Sequence, residues 1–370
     1  MATLESNSWT IGNQLVSGFY PNRIPNPDLK WEKTGQFDIG FDLGLFNNRL
    51  RLTADYYYKK TTDLLYNVAI PSASGYDSML KNIGSVQNKG YELSIESDNL
   101  SGAFSWTTAF NISFNRNKVL ELGGETYKDV GTYDDHLKTS DIRRLIVGQP
   151  IGVFYGYRFD GIFQNEAECA QQTSSPSPIG VGLRRYKDLN GDGKIDATND
   201  REILGDANPK FFGGMTNTFA YRGFELNVFL QYSYGNKIFN YNAMELESPT
   251  GGQNVYQDLV NRWTPTNPSN EYQKATTNRN NIVSDRFIED GSFLKLKTVS
   301  LSYSFPKLNW KHLGGLRLYV TGQNLLTWTK YRGYDPEVSY RGASTLEAGE
   351  DFGGYPQART FMFGIKLDIK

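Results

Sequence analysis

Between residues 36 and 59 the chain reads QFDIGFDLGLFNNRLRLTADYYYK, and its apolar positions alternate with polar ones. Folded as a hairpin about Asn47 and Asn48, residues that tolerate positive φ in a two-residue turn, Leu45 faces Leu50, Leu43 faces Leu52, Phe41 faces Ala54, Ile39 faces Tyr56 and Phe37 faces Tyr58. All of these pairs share one face. Asp38, Asp42, Arg51, Asp55 and Lys59 hold the other. Each arm is about eleven residues, roughly twice an average globular strand. Tilted by ~40°, it crosses an apolar slab ~25 Å tall.

The same period of two recurs along the chain. Tyr91, Leu93 and Ile95 share a face, as do Phe104, Trp106, Thr108, Phe110, Ile112 and Phe114 after a turn near Asp98–Gly102. A two-residue turn at Arg222-Gly223 pairs Tyr221 with Phe224, Phe219 with Leu226 and Met215 with Leu230. Val299, Leu301, Tyr303 and Phe305 are answered by Leu316, Leu318 and Val320, and the chain closes on Phe361, Phe363, Ile365, Leu367 and Ile369. Connections alternate in length: short at 47–48, 99–102, 222–223 and about 306–314, long at 65–87, 117–210, 236–290 and 331–354. Short turns at one end and long loops at the other are the asymmetry of an outer-membrane barrel. The predicted fold is therefore an all-β, antiparallel transmembrane β-barrel.

Loop parity sharpens this. The first and last strands both run toward the short-turn end, which predicts nine crossings. The strand-like run at 150–163 is assigned to the long excursion, because a tenth crossing would reverse the loop pattern. A bacterial barrel closes with an even number of strands, and an open edge in lipid is prohibitive. The expected organisation is the C-terminal part of a larger barrel. Residues 1–35 end an extracellular loop, 36–116 supply four strands, 117–210 form an extracellular excursion, and 211–370 supply five strands. The stretch MATLESNSWTIGNQ lacks the basic and apolar regions of a signal peptide.

Composition changes little in this picture. A net charge of −1 over 370 residues gives no electrostatic footprint for nucleic acid. No run of about 18 apolar residues marks a membrane helix, and the mean hydropathy of −0.53 is compatible with alternating strands. Aromatics at 14% fit the aromatic girdles of a barrel. A single cysteine, Cys169, excludes an intrachain disulfide.

The sharpest chemical motif is DLNGDGKIDATND at 188–200. Asp188, Asn190 and Asp192 occupy positions 1, 3 and 5 of a calcium loop, Gly193 the turn at 6, the Lys194 carbonyl 7 and Asp196 position 9. Position 12 holds Asn199, and the acidic residue, Asp200, comes one later and completes the candidate ligand set. Hard oxygens at this spacing are expected to wrap a structural Ca²⁺; the competing reading is an Asx-turn loop with solvated carboxylates. Catalytic constellations are not found. His136 and His312 stand outside any triad or metal spacing, and Asp134-Asp135 and Glu347/Glu350/Asp351 read as solvated acidic clusters. Gly213-Gly214 and Gly251-Gly252 lack a phosphate-loop pattern. The chain is read as a non-enzyme. Trp9, Tyr20, Tyr133, Tyr241, Tyr256 and Trp263 are candidate exposed loop aromatics for stacking on a ligand.

Several segments together resemble one family, the SusC/RagA-like TonB-dependent outer-membrane transporters of Bacteroidota. They are NPDLKWE at 26–32, GQPIGVFYGY at 148–157, DGIFQ at 160–164, the Asp-rich loop at 188–196, SYGNKIFN at 233–240, GQNLL at 322–326 and GYDPE at 333–337. The resemblance implies a 22-stranded barrel with an N-terminal plug, of which these would be strands 14 to 22, the plug being absent here. It implies a SusD-like surface lipoprotein that captures glycans, oligosaccharides or peptides, and a TonB complex that acts through the plug. Outer-membrane lipid would surround the barrel. The final Ile369-Lys370 departs from the aromatic ending such strands commonly carry. The alternative function is a passive porin or a barrel-based surface adhesin.

Overall fold

The computed structural model describes residues 3–69, 73, 76, 78–130, 142–248, 254–277, 281–305, 313–337, 339–342 and 344–369. Nine long strands form one sheet: β1 (Lys33–Leu45), β2 (Leu50–Thr62), β3 (Ser85–Leu100), β4 (Phe104–Glu121), β5 (Phe211–Tyr221), β6 (Phe224–Tyr234), β7 (Phe293–Phe305), β8 (Leu313–Thr329) and β9 (Thr360–Ile369). They pair in strict chain order, each with the next and all antiparallel. Among the described residues the first and last strands do not meet, so the sheet is an open arc, the wall of a partial barrel.

The registers follow the alternation. Leu45 pairs with Leu50, Phe41 with Ala54 and Phe37 with Tyr58. The first turn takes four residues rather than two, because Phe46 joins Asn47 and Asn48 at positive φ and Arg49 N–H donates to the Phe46 carbonyl. The turn at Arg222-Gly223 keeps two residues, both at positive φ. A Cβ on Gly223 would stand 2.7 Å from the Ser304 carbonyl oxygen, so glycine is required there twice over. The expected turn at 306–312, with His312, lies outside the described residues, as do Tyr133, Asp134, Asp135, His136 and Gly251-Gly252.

One apolar face crosses the whole arc. A single row runs Leu52, Ile95, Phe110, Met215 and Leu230, and another runs Leu226, Leu301, Val320 and Phe363. This face is uncovered. Phe361, Phe363, Ile365 and Ile369 are all more than 60% exposed. A surface of this extent is stable only against an apolar solvent. Arginine in the middle of it costs about 2–4 kcal/mol, whereas the opposite face tolerates the change. In the full-length polypeptide carrying this sequence, Ile95→Arg is therefore expected to lower the urea midpoint for folding into lipid vesicles, while neighbouring Ser94→Arg leaves it nearly unchanged. Equal losses would show that both faces are wet.

The packed core sits elsewhere, in the long connections. Ile142, Phe154, Phe239, Tyr241, Ala243, Met244, Val283 and Phe287 form one buried cluster, drawn from two connections, with Phe352 of a third packed against it. They are carried by a four-stranded sheet (Tyr127–Val130, Arg143–Ile146, Val153–Tyr157, Arg201–Asp206), a three-stranded sheet that includes Lys237–Asn240, and the short helix Tyr241–Leu246. The strand-like run at 150–163 becomes two short strands, Val153–Tyr157 and Phe159–Ile162, both separate from the nine-stranded sheet. Within residues 1–35 the chain makes a hairpin, Thr3–Ile11 with Gln14–Ile24, that joins Ser78–Asn82 and Leu65–Ala69 in a sheet of its own.

Candidate functional site: the inner wall and its cap

The face opposite the apolar one is mostly polar, and its charges pair across strands. Arg51 of β2 meets Glu96 of β3 at 2.9 Å. Arg317 of β8 meets Glu225 of β6 at 2.6 Å and donates to Ser302 of β7 at 2.7 Å. Tyr57 donates to the Asn115 amide oxygen, and Thr53 to Asp42. Period-two alternation alone puts these residues on the inner side of the arc. An apolar recess of about 180 Å³, with Tyr66, Val86, Val119, Leu145 and Ile151 in its wall, opens where β3 and β4 enter the long-loop end.

Charge is buried where the last long connection folds onto this wall. Lys295 of β7 is 2% exposed. Its ammonium lies 2.6 Å from the Asp335 carboxylate and 2.7 Å from that of Glu337. Lys297 adds a second contact to Glu337 at 2.8 Å, and Gln231 of β6 donates to the same carboxylate at 3.0 Å. Burial works against ionisation of Asp335 and Glu337. Their bonds with Lys295, joined by the Glu337 and Gln357 backbone N–H groups at Asp335 and by Lys297 at Glu337, outweigh it and hold both carboxyls below their ordinary range. The GYDPE segment is thereby strapped to the inner wall. A second buried pair, Arg143 with Glu350 at 2.9 Å, ties the same connection to the excursion core.

That pair corrects one expectation. Glu350 and Asp351 are not solvated: they are 1% and 0% exposed, and Asp351 accepts a hydrogen bond from Tyr331. Glu347 alone of that cluster stays partly open. Tyr241 is corrected too. It is a core residue, 3% exposed and packed edge-on to Phe239. Tyr256 is half-buried, and Trp263 is half-buried with its indole N–H on Gln164. Trp9 and Tyr20 lie on the strands of the first hairpin rather than in a loop. Cys169 is buried at the end of the helix Glu166–Cys169.

The Asp-rich loop is held by its own side chains. Asp188 accepts from the Gly191 and Gly193 backbone N–H groups at 2.6 and 2.7 Å, and Asp192 from that of Lys194. Gly191 and Gly193 both take positive φ. Asp196 accepts from Asn199 and Thr198 N–H, which hold its carboxyl below the ordinary range. Asp200, wholly buried, accepts from Leu189 N–H and Asp196 N–H at 2.8 Å each, closing the loop on itself. That bond gives a structural reason for the acidic residue coming one place late. Asn190 donates its amide to Asp192 at 3.1 Å. Among the described residues no three His, Cys, Asp or Glu side chains are gathered into a ready metal site. Asp200→Ala is expected to remove the acceptor of two part-buried N–H groups, Leu189 and Asp196, at about 1 kcal/mol each. Faster protease cleavage within 188–200 would report it, and unchanged cleavage would count against the clasp.

An antiparallel meander that is apolar outside, polar inside and capped at one end by packed connections is the wall of a membrane-spanning β-barrel. The model of the family described as TonB dependent receptor-like, beta-barrel, matches residues 4–197, and the chain belongs to that family. The family's barrels are outer-membrane proteins. The chain is 40% identical to the TonB-dependent receptor P3 of Formosa agariphila over 376 residues, covering 99% of this chain and 37% of that protein. It is 29% identical to the TonB-dependent receptor SusC of Bacteroides thetaiotaomicron, covering 99% of this chain and 34% of SusC. In three dimensions it matches a chain of the RagAB peptide transporter with a TM-score of 0.79 and 26% identity, over 99% of this chain and 38% of the other. The chain is thus SusC/RagA-like and spans between 34% and 38% of the length of these relatives.

Proposed function

We propose that this chain forms the C-terminal barrel wall of an energised importer that takes up glycans, oligosaccharides or peptides with a SusD-like lipoprotein and draws on the TonB complex through a plug domain. The observation that carries this reading is the match of nearly the whole chain to one arc of the RagAB peptide transporter. The polar inner wall would face the plug and the passing ligand. The apolar recess at the long-loop end would offer contact to an apolar group on that ligand. The test is uptake by cells that carry the full-length gene. Nutrient-dependent growth should require the gene, a neighbouring SusD-like lipoprotein and the proton-motive force. Uptake that survives collapse of the proton-motive force would sink the reading and favour a passive pore.

We also propose that the loop 188–200 takes a structural Ca²⁺ through Asp188, Asn190, Asp192, the Lys194 carbonyl and Asp196, with Asp200 as clasp. The left-handed Gly193 and the Asp188 carboxylate folded over it support this, because both belong to a calcium-loop geometry. Asp192 and Asn190 would exchange their present bonds for the ion. Calorimetric titration is expected to show binding at millimolar Ca²⁺ or below, lost in Asp192→Ala. No heat in the unaltered protein would refute it.

A further inference from the structure

The lipid-facing side carries a patch of positive charge at its outer rim that import does not use. Three strands assemble it. Tyr58 of β2 pairs with Lys89 of β3, and Lys89 with Arg116 of β4. One step outward, Lys60 pairs with Gln87 and Gln87 with Lys118. One step inward the row is Tyr56, Tyr91 and Phe114, with the two tyrosine rings 5.0 Å apart. Alternation puts all three rows on the face of Leu93, Ile95 and Phe110, which is the lipid side.

Depth identifies what this patch meets. On β4 the lipid-facing residues run from Phe104 to Phe114. At ~3.3 Å per residue and a ~40° tilt, those ten steps rise about 25 Å, the height of the apolar band of an outer-membrane barrel. Arg116 and Lys118 therefore stand just above the acyl chains, at the level of the outer headgroups. Lys60, Lys89, Arg116 and Lys118 are all exposed. Among the described residues none of them forms an ion pair with a carboxylate. Arg116 is also held in place. One of its terminal nitrogens donates to the Asn115 and Lys210 carbonyls at 2.8 and 3.0 Å and to that of Pro209 at 3.4 Å. Beside it is a recess of about 310 Å³ lined by Tyr56, Lys89, Gly90, Tyr91, Phe114 and Arg116.

We propose that this recess binds the phosphorylated headgroup of an outer-leaflet lipid, whose acyl chains lie along the aromatic and aliphatic rows beneath. Lys89 and Arg116 supply charge-assisted hydrogen bonds to phosphate oxygens, and the tyrosines bridge headgroup and chain. Each basic residue near an anionic lipid surface contributes a roughly fivefold gain in binding. The proposal rests on the outer-membrane placement of the barrel and is independent of what the protein imports.

The experiment uses the full-length polypeptide carrying this sequence, folded in neutral detergent, with native mass spectrometry of bound bisphosphorylated lipid A. The lipid should be retained at least tenfold more than its fully dephosphorylated form, and excess inorganic phosphate should not displace it. The double variant Lys89→Gln with Arg116→Gln should lose at least tenfold in retention. Arg222→Gln at the opposite rim should lose nothing. Both variants should keep heat-modifiable migration on gels, which shows that the barrel has formed. Equal retention of the dephosphorylated lipid, displacement by inorganic phosphate, or full retention by the double variant would overturn the proposal. So would self-association of the barrel that the double variant abolishes while lipid A binding stays unchanged, since the patch would then serve a second copy of the chain. An unaltered protein without heat-modifiable migration would instead overturn the membrane placement.

Discussion

Lys295→Met is expected to free the last long connection from the inner wall, at a cost of about 3–5 kcal/mol, the usual price of removing one partner from a buried ion pair. The variant strands two carboxylates, Asp335 and Glu337, that are 8% and 18% exposed in their side chains. Of the two carboxylates Lys297 reaches only Glu337, so Asp335 is left with backbone N–H donors alone. The readout is hydrogen exchange of residues 331–337 and 344–357, which should accelerate while β2 to β4 stay protected. Adding Asp335→Asn and Glu337→Gln to Lys295→Met should recover part of the loss, because the uncompensated charge is then gone. Unchanged exchange in the single variant would show that the strap carries no energy.

The same network sets a pH dependence. Both carboxyls have folded-state values below their unfolded ones. Their contribution is therefore complete above the unfolded carboxylate range, near pH 4, and is lost as the pH falls through the lower folded values. The connection should stay docked at neutral pH and release only in acid. Protection of residues 331–337, taken relative to the intrinsic exchange rate at each pH, that is the same at about pH 6 and pH 3 would contradict this.

The second large effect is expected at Arg143. Its guanidinium, 1% exposed, meets Glu350, donates to the Gly152 carbonyl at 2.8 Å and to the Ala348 carbonyl, and lies 4.3 Å from the Phe154 ring centre. Arg143→Met leaves the buried Glu350 only its longer contact with Arg341, at 3.7 Å, at a cost of up to about 3–5 kcal/mol. The damage should be local. The connections should become protease-sensitive at a lower temperature, while heat-modifiable migration of the barrel persists. Pairing Arg143→Met with Glu350→Leu should restore most of the resistance, since a buried ion pair is often replaced by apolar packing at little loss. If barrel and connections failed together, the two would be one cooperative unit.

The contrast between these sites and the sheet shows how far the chain could be read unfolded. Strand pairing was legible because a period of two is local: a one-residue slip moves Phe37, Ile39 and Phe41 from lipid to lumen, and only one register satisfies β1 and β2 at once. Loop parity then gave nine crossings, and nine strands form the meander. The GYDPE segment was visible as a family motif, yet nothing in its spacing said that it grips Lys295, 40 residues away. Glu350 and Asp351 looked solvated because acidic runs in loops usually are. The partner that buries Glu350 lies 207 residues earlier. Tyr241 failed as a surface aromatic for the same reason, being covered by its own connection and by segments of two distant ones.

By itself, then, the sequence determined the strands, their faces and their count, which follow from short-range alternation and turn chemistry, and it carried the motifs by which the chain resembles its family. Only the tertiary structure decided which loop charges are buried and paired, and where the packed core lies. Those depend on long-range contacts whose electrostatics appear only when distant segments exclude water together.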